Sequence, residues 1–97
     1  MKINVLGTEY HLLLDEEMEE EDSDGEYSPF EKCIKIAPMD IEGERTRLYR
    51  DKVIRHEIIH AFLFESGLDD LSGDEMLVDW MALQIPKISK LFEEIGV

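Results

Sequence analysis

The chain has 97 residues, 24 of them acidic and 10 basic, and its formal net charge of −14 at pH 7 argues against binding to nucleic-acid phosphates. Residues 1–97 suffice for one small domain, whose 43% apolar content can form a single modest core. The chain has one cysteine, which cannot form an intrachain disulfide. Its N-terminal apolar run is too short for a signal peptide, and no apolar run approaches the length of a membrane span. We therefore expect a cytoplasmic protein.

The N-terminal part of the chain predicts a β-hairpin followed by an acidic loop. Lys2 to Leu6 and Glu9 to Leu14 are short apolar runs separated by the turn signal Gly7-Thr8, so we expect them to pair as antiparallel strands. Asp15 to Glu26 is rich in carboxylates and indicates a solvated loop or hairpin extension. Its spacing does not fit the fixed ligand offsets of an EF-hand calcium loop.

A third strand is predicted from Glu31 to Ile36, where apolar and charged residues alternate around Ile34 and Ile36. Lys32 and Lys35 alternate with the apolar residues and Pro38 follows, a pattern that suits an exposed edge of a sheet. We expect Cys33 to be an ordinary sheet residue rather than a nucleophile or a metal ligand.

The second half of the chain predicts helices. No Gly or Pro interrupts Glu44 to Ser66, and Gly67 is the expected left-handed residue after the helix end. Apolar residues occupy most of its circumference, so we expect it to lie in the core. These residues are Leu48, Val53, Ile54, Ile58, Ala61, Phe62 and Phe64.

A second helix is predicted to start near Ser72-Gly73-Asp74-Glu75 and to run to Gln84, with Trp80 in the core. Pro86 either ends this helix or opens a third one over Lys87 to Glu94, which stops at Gly96. Strands followed by helices indicate an α+β fold.

The long helix contains the pattern His56-Glu57-Ile58-Ile59-His60, in which the two histidines lie four residues apart and share one face. Two imidazoles at this spacing can chelate one Zn²⁺, and Glu57 lies near that metal without having to bind it. A carboxylate there can act as general base toward an activated water. The alternative is that His56 and His60 are partly buried core residues.

A third metal ligand is needed, because catalytic zinc takes three protein ligands and a water. A histidine just beyond the helix is not available, since Leu63 and Ser66 occupy the relevant positions. Glu75 on the following helix is the preferred candidate, although Ser72-x-x-Glu75 could also be a capping box. Asp79 shares the face of Glu75 and could accept the spare N–H of a ligating histidine, act as a ligand itself, or be an exposed carboxylate.

The segments His56-Glu57-Ile58-Ile59-His60-Ala61 and Glu75-Met76-Leu77-Val78-Asp79-Trp80-Met81-Ala82 resemble the small ImmA/IrrE-type gluzincin metallopeptidases, which include short bacterial and prophage versions. The resemblance implies a minimal zincin core, in which a small three-stranded sheet packs on the His-Glu-x-x-His helix, followed by a glutamate helix and a C-terminal helix. It further implies that the strand before the active-site helix is an edge that binds extended peptide antiparallel. That strand would comprise Lys32, Cys33, Ile34, Lys35 and Ile36.

The expected function is therefore that of a zinc-dependent metallopeptidase, which hydrolyses peptide bonds of a cytosolic protein by metal-activated water. One Zn²⁺ per chain would be bound by His56, His60 and Glu75, and Glu57 would be the general base. Its partners would be a protein or peptide substrate and a regulatory protein, with no nucleic acid and no membrane. The alternative is a catalytically silent, zinc-stabilised protein-interaction module. Candidates for stabilising the reaction's oxyanion are Tyr10, His11, Tyr27 and Tyr49, and His11 is also explained as a hairpin side chain.

Overall fold

The computed structural model of the chain describes residues 1–16, 24–38 and 43–97 and has an α+β architecture, as the sequence predicts. Four strands and three helices lie within these ranges. They are β1 (Lys2–Val5), β2 (Thr8–Leu14), β3 (Gly25–Ser28), β4 (Cys33–Ile36), α1 (Glu44–Glu65), α2 (Asp69–Ser72) and α3 (Glu75–Ile95).

The strands form one sheet in the order β1-β2-β4-β3. β1 and β2 are the predicted hairpin and pair antiparallel, while β2 and β4 pair parallel. The hairpin turn has Leu6 at φ 51° and Gly7 at φ 92°. Positive φ at both central residues matches the right-handed twist of two short strands, which explains the glycine at the second position.

The sheet has four strands rather than the predicted three, because β3 lies in a stretch predicted to be a loop. β3 contains a glycine and polar residues, so its own sequence signals a turn. Pairing with β4 makes it a strand: Glu26 lies opposite Lys35 and Tyr27 lies opposite Ile34. Residues 17–23 of the predicted acidic loop lie outside the described residues.

The prediction that Lys32 to Ile36 is an exposed edge strand is wrong. β4 pairs with β2 on one side and with β3 on the other, so its main chain is engaged within the sheet. Its lysines do not mark an edge, because Lys35 faces Glu26 across the pair and Lys32 binds Glu65 at 2.9 Å. Lys32 itself precedes β4 and has φ 54°. Among the described strands, β3 is the terminal one on this side of the sheet.

Helix α1 lies between the sheet and α3, and a separate apolar cluster fills each interface. Ala61 faces the sheet cluster, whereas Ile59 and Leu63 face α3. The sheet cluster consists of Val5, Tyr10, Ile34, Ile36 and Ala61, and the helix cluster consists of Ile59, Leu63, Val78 and Ala82. The core prediction for Leu48 and Phe62 is wrong, because both side chains are exposed on the flanks that neither neighbour covers.

The end of α1 follows the predicted glycine signal. Gly67 has φ 84°, its N–H donates to the Phe64 carbonyl at 3.0 Å, and the Leu68 N–H donates to the Leu63 carbonyl at 2.9 Å. This pair of bonds is the Schellman motif, which satisfies carbonyls that the helix end would otherwise leave open. The motif turns the chain back so that α2 and α3 cover one side of α1.

Helix α3 begins with Asp74 as its N-cap, whose Oδ1 accepts the Leu77 N–H at 3.1 Å. The alternative capping box with Ser72 is therefore not formed at this helix. Trp80 is 58% exposed, so its predicted core position is wrong. Among the described ranges, no helix is both long and apolar enough to span a lipid bilayer.

Pro86 neither ends α3 nor starts a new helix, and the predicted separate helix over Lys87 to Glu94 is the continuation of α3 to Ile95. A proline inside a helix leaves the carbonyl four residues earlier without its donor. That carbonyl belongs to Ala82, and the Nε–H of Arg55 on α1 donates to it at 2.9 Å. Tertiary contact thus supplies the missing hydrogen bond, and the helix stops at Gly96 as predicted, with φ 81°.

Candidate metal centre

The predicted His-Glu-x-x-His face of α1 forms a compact cluster in the structure. One ligand atom from each of His56, Glu57 and His60 lies within 4.8 Å of the others. Glu57 and His60 are buried and His56 is half-buried. This group could hold a metal ion, because imidazole nitrogens and a carboxylate are common metal ligands.

His60 is held by two hydrogen bonds to Ser72, the last residue of the single-turn helix α2. Its Nδ1 lies 2.5 Å from the Ser72 carbonyl oxygen, and the Ser72 hydroxyl donates to the His60 carbonyl at 2.8 Å. A carbonyl oxygen can only accept, so Nδ1 carries a hydrogen. In the neutral imidazole the Nε2 atom therefore presents its lone pair to the cluster, which is the tautomer that a metal ligand needs.

His56 is oriented by Asp79 on α3, the position predicted to support a ligating histidine. Its Nδ1 lies 3.3 Å from Asp79 Oδ1, and Lys52 Nζ lies 3.0 Å from the same oxygen. The hydrogen bond from Lys52 lowers the pKa of the Asp79 carboxyl, with a smaller contribution from His56. Asp79 is thus kept ionised and accepts from Nδ1–H, which leaves the His56 Nε2 lone pair free.

Glu75, at the first turn of α3, closes the cluster from the opposite side. Its Oε2 lies 2.8 Å from His56 Nε2 and its Oε1 lies 2.9 Å from His60 Nε2. The two Nε2 atoms are 3.2 Å apart. Four acceptor atoms therefore converge, and only a cation between them, either a proton or a metal ion, relieves their mutual repulsion.

The two imidazole nitrogens are spaced as they would be on one shared metal ion, for which zinc distances serve as the example. Two nitrogens bound to one tetrahedral Zn²⁺ at about 2.0–2.1 Å lie about 3.3 Å from each other. The observed separation of 3.2 Å between the Nε2 atoms of His56 and His60 matches that value. The Glu75 side chain is 71% exposed, so the cluster has an open side toward solvent.

Glu57 lies beside the imidazoles in a tightly enclosed position and is 8% exposed. Burial raises the pKa of its carboxyl above the ordinary value, and the nearby His60 and His56 partly oppose that shift. Gly25 of β3 packs directly against it: a Cβ atom there would lie 2.9 Å from Val53 Cγ1 and 3.0 Å from Glu57 Cγ. A buried carboxyl whose pKa is raised is a stronger base than an ordinary carboxylate, which suits it to proton transfer.

Two clefts open on either side of the cluster and share Gly25, Glu57 and Glu75. The larger, of about 420 Å³, is also lined by Tyr27, Pro29 and Phe64, and the smaller, of about 290 Å³, by Tyr49, Lys52 and Val53. Together they form a groove that passes over the cluster along β3. An extended ligand could therefore lie across the cluster.

The four oxyanion candidates occupy different places. Tyr10 is fully buried and its hydroxyl donates to Glu65 at 2.6 Å, while His11 lies on β2 opposite Cys33 and lines neither cleft. The Tyr27 ring stacks on His60 with 5.5 Å between ring centroids, and burial of its hydroxyl raises the pKa of Tyr27. Tyr49 alone among the four lines the smaller cleft, where its hydroxyl donates to Asp24.

Sequence reasoning missed three residues that shape the cluster: Lys52, Ser72 as a support for His60, and Gly25. Lys52 lies one helical turn before His56, so the spacing of four that relates the histidines would have found it. Ser72 and Gly25 act through contacts between elements far apart in the chain, and nothing in the local sequence indicates those contacts.

The chain was compared with known proteins in three ways. No family model matches it, and neither the curated proteins nor the solved structures contain a significant match. The geometry of the cluster is therefore what any assignment of function has to rest on.

Proposed function

We propose that this chain is a zinc-dependent metallopeptidase, with His56, His60 and Glu75 as the metal ligands and Glu57 as the general base. The observation that carries the proposal is the convergence of four acceptor atoms from two histidines and a glutamate beside a buried carboxyl. The resemblance of its two helical segments to the ImmA/IrrE-type peptidases supports the same reading.

Zinc is the metal that this set of side chains favours. Two imidazoles and one carboxylate with an open side are a frequent donor set of catalytic zinc, whereas calcium and magnesium prefer oxygen ligands throughout. Zinc bound here would supply Lewis-acid activation of a water molecule and of a peptide carbonyl. The Nδ1 acceptors from Ser72 and Asp79 would hold both imidazoles in the ligating orientation.

In this proposal Glu57 moves a proton twice. Its carboxylate takes a proton from the attacking water as the new C–O bond forms at the peptide carbonyl, and returns it to the amine as the C–N bond breaks. Burial raises the pKa of the Glu57 carboxyl, which makes its carboxylate a stronger base for the first transfer. Tyr49 lines the cleft beside Glu57 and is the candidate donor toward the charge that develops on the carbonyl oxygen, provided that its hydroxyl turns from Asp24 toward the substrate.

The substrate in this proposal is a protein segment in extended conformation. β3 is the terminal strand of the sheet at the cluster, and its residues Glu26 and Tyr27 line the larger cleft. A peptide that adds to this strand would run through both clefts and bring one carbonyl over the metal position. In this proposal β3 takes the peptide-binding role that the resemblance implies for Lys32 to Ile36.

A second candidate is a catalytically silent, zinc-stabilised interaction module. The high exposure of Glu75 and the openness of both clefts to solvent favour it, because a peptidase usually encloses its substrate more fully. The two candidates differ in what Glu57 does, since a purely structural zinc site has no use for a free carboxylate.

The test is hydrolysis of a mixed-sequence peptide library by zinc-reconstituted protein, with zinc content measured in parallel. We expect Glu57→Gln to bind zinc like the wild type and to cleave at least about 100-fold more slowly. Glu93→Gln, at an exposed site near the end of α3, is the matched control and should cleave normally. Wild-type rates in Glu57→Gln would refute the mechanism, and zinc binding without any cleavage by the wild type would favour the silent module.

A further inference from the structure

Gly25 is an unusual residue for strand β3, because glycine weakens a strand and offers no side chain to pack. Its backbone conformation does not explain the choice. Left-handed φ angles occur at Gly7, Gly67 and Gly96, whereas Gly25 adopts a conformation that other residues can take. A glycine of this kind inside a strand marks a place where another group approaches closely.

The close approach is to the face of α1 that carries Glu57. A Cβ atom at Gly25 would lie 2.9 Å from Val53 Cγ1, 3.0 Å from Glu57 Cγ and 3.4 Å from Glu57 Cδ. A Cβ atom would find its nearest neighbour at 3.8 Å at Gly73 and at 3.9 Å at Gly43, and the remaining three glycines have no described atom within 4 Å. All six glycines lie in the described ranges, and Gly25 is the one whose missing side chain makes room for another residue.

Packing is what holds the Glu57 side chain in place. Within the described part of the chain, no hydrogen bond or ion pair joins its carboxylate to another residue, although one ring nitrogen each of His56 and His60 lies within 4.8 Å. Glu75 and Asp79 differ in this respect, because contacts with the imidazoles fix their carboxylates. The position of the Glu57 carboxylate therefore depends on how closely β3 lies against its stem.

We propose that Gly25 is a positioning residue for Glu57. Without a side chain at this point, the main chain of β3 lies directly against the Glu57 stem and keeps the carboxylate beside the two imidazoles. This role rests on the proposed function, in which Glu57 is the general base and its distance from the reacting atoms controls the rate. A methyl group added at Gly25 would displace Glu57, Val53 or β3 by a few tenths of an ångström or more. None of the three proposed metal ligands is among the atoms nearest to it.

Kinetics and zinc affinity of the full chain test this role together. We expect Gly25→Ala to bind zinc as tightly as the wild type, in competition with a chromophoric chelator. Its kcat, on a peptide that the wild type cleaves, should be lower by about tenfold or more. Gly43→Ala is the matched control, because a methyl group has room there, and it should cleave normally. Val5→Ala opens a gap in the sheet cluster and controls for lost stability alone, so its kcat should equal that of the wild type.

A double-mutant cycle tests the contact without relying on activity. Gly25→Ala should lower the urea midpoint of the metal-free protein more in the wild-type background than in a Glu57→Ala background, because the second change removes the Cγ atom that the new methyl group meets. If Gly25→Ala does not fold, the same cycle is measured in a Val53→Ala background, from which the nearest contact, at 2.9 Å, has been removed.

A wild-type kcat in Gly25→Ala would overturn the proposal, as would equal falls of the urea midpoint in the two backgrounds. Loss of zinc together with the rate would also overturn it, because Gly25 would then support the metal ligands rather than Glu57. A wild type that binds zinc and cleaves no peptide would refute the proposed function, and with it the role of Gly25 in the reaction. The cycle distinguishes that result from a failure of the contact itself, since coupling between Gly25 and Glu57 would still be measured.

Discussion

Each imidazole of the candidate metal centre has its Nδ1 occupied by an acceptor from a different element. Ser72 supplies a carbonyl at the end of α2, and Asp79 supplies a carboxylate from α3. Both acceptors fix the same tautomer, so the two Nε2 lone pairs point into one space. The orientation of α1's histidines therefore depends on how α2 and α3 pack on it.

This dependence gives the first prediction. Asp79→Ala removes the acceptor for His56 Nδ1 while leaving the three proposed ligands in place, so zinc affinity should fall by about 10–100-fold without being lost. Competition with a chromophoric chelator measures it, and Asp70→Ala, at an exposed position on α2, serves as the control. Unchanged affinity would mean that Asp79 does not orient His56, and complete loss would mean that Asp79 is itself a ligand.

At the residue scale, spacing along one helix was predictable from the sequence and contact between elements was not. The separation of four residues placed His56 and His60 on one face, and the next helix offered Glu75 and Asp79 as partners. The structure brings all four together. The roles of Ser72 and Gly25 could not be predicted from the sequence. Ser72 acts through its main-chain carbonyl and Gly25 through its lack of a Cβ atom, and neither feature belongs to a recognisable sequence motif.

Among the elements, the end of α1 is tied to the sheet by one carboxylate. Glu65 accepts hydrogen bonds from Tyr10 at 2.6 Å, Thr8 at 2.8 Å and Lys32 at 2.9 Å. These bonds, the one from Tyr10 foremost, lower the pKa of Glu65 to about 2. Burial and the same Glu65 raise the pKa of the Tyr10 hydroxyl, so the pair favours an ionised carboxylate and a neutral phenol.

The second prediction is an acid dependence of stability that belongs to Glu65. Its pKa is lower in the folded chain than the ordinary value of about 4.3 in the unfolded chain. The stabilisation is therefore complete above about pH 4.3 and is lost as pH falls toward about 2. Urea unfolding between pH 6 and pH 3 should show a smaller acid-induced loss in Glu65→Gln than in the wild type.

The exposed Glu93→Gln variant is the control for that measurement and should lose stability on acidification as the wild type does. Comparing variants removes the contribution of the metal centre, since its histidines are common to all three proteins. If Glu65→Gln retains the full acid dependence of the wild type, the carboxylate at the end of α1 does not stabilise the fold in the proposed way.

Helix α3 depends on α1 at the position of its proline. Arg55 donates to the carbonyl of the fully buried Ala82, which Pro86 leaves without a helical donor. The third prediction is that Arg55→Met lowers the free energy of unfolding by about 1–3 kcal/mol, because a buried carbonyl then lacks a partner. In a Pro86→Ala background, the new N–H supplies that bond and Arg55→Met should cost less. Equal costs in both backgrounds, measured by urea unfolding, would contradict the account.

Elements with strong local signals were predictable, and elements that depend on pairing were not. The hairpin and the extent of α1 follow from turn residues, helix formers and Gly67. β3 was missed because Gly25 and the polar residues after it form a strand only through backbone pairing with β4. β4 was misplaced as an edge for the same reason, since its neighbours cannot be read from its own residues. Pro86 was misread because the donor that compensates for it lies on another helix.

For the whole molecule, length and composition indicated one small domain, and the predicted strands followed by helices indicated an α+β fold. The structure adds how the sheet and the helices are arranged around α1. The sheet supports one side of α1, α2 and α3 support the other, and the candidate metal centre lies where β3, α1 and α3 meet. The exposure of the C-terminal half of α3 was not predictable, because its apolar residues match a buried helix equally well.

The central claim is that His56, His60 and Glu75 hold one zinc ion. Its most direct test is the metal content of the purified, zinc-reconstituted protein, measured by inductively coupled plasma mass spectrometry for the wild type, His60→Ala and Glu57→Gln. We predict about one zinc per chain in the wild type and in Glu57→Gln, and none in His60→Ala. No zinc in the wild type would mean that the two imidazoles are paired with Glu75 through a proton. Equal zinc in His60→Ala would mean that the zinc is bound elsewhere, and either result would contradict the peptidase proposal.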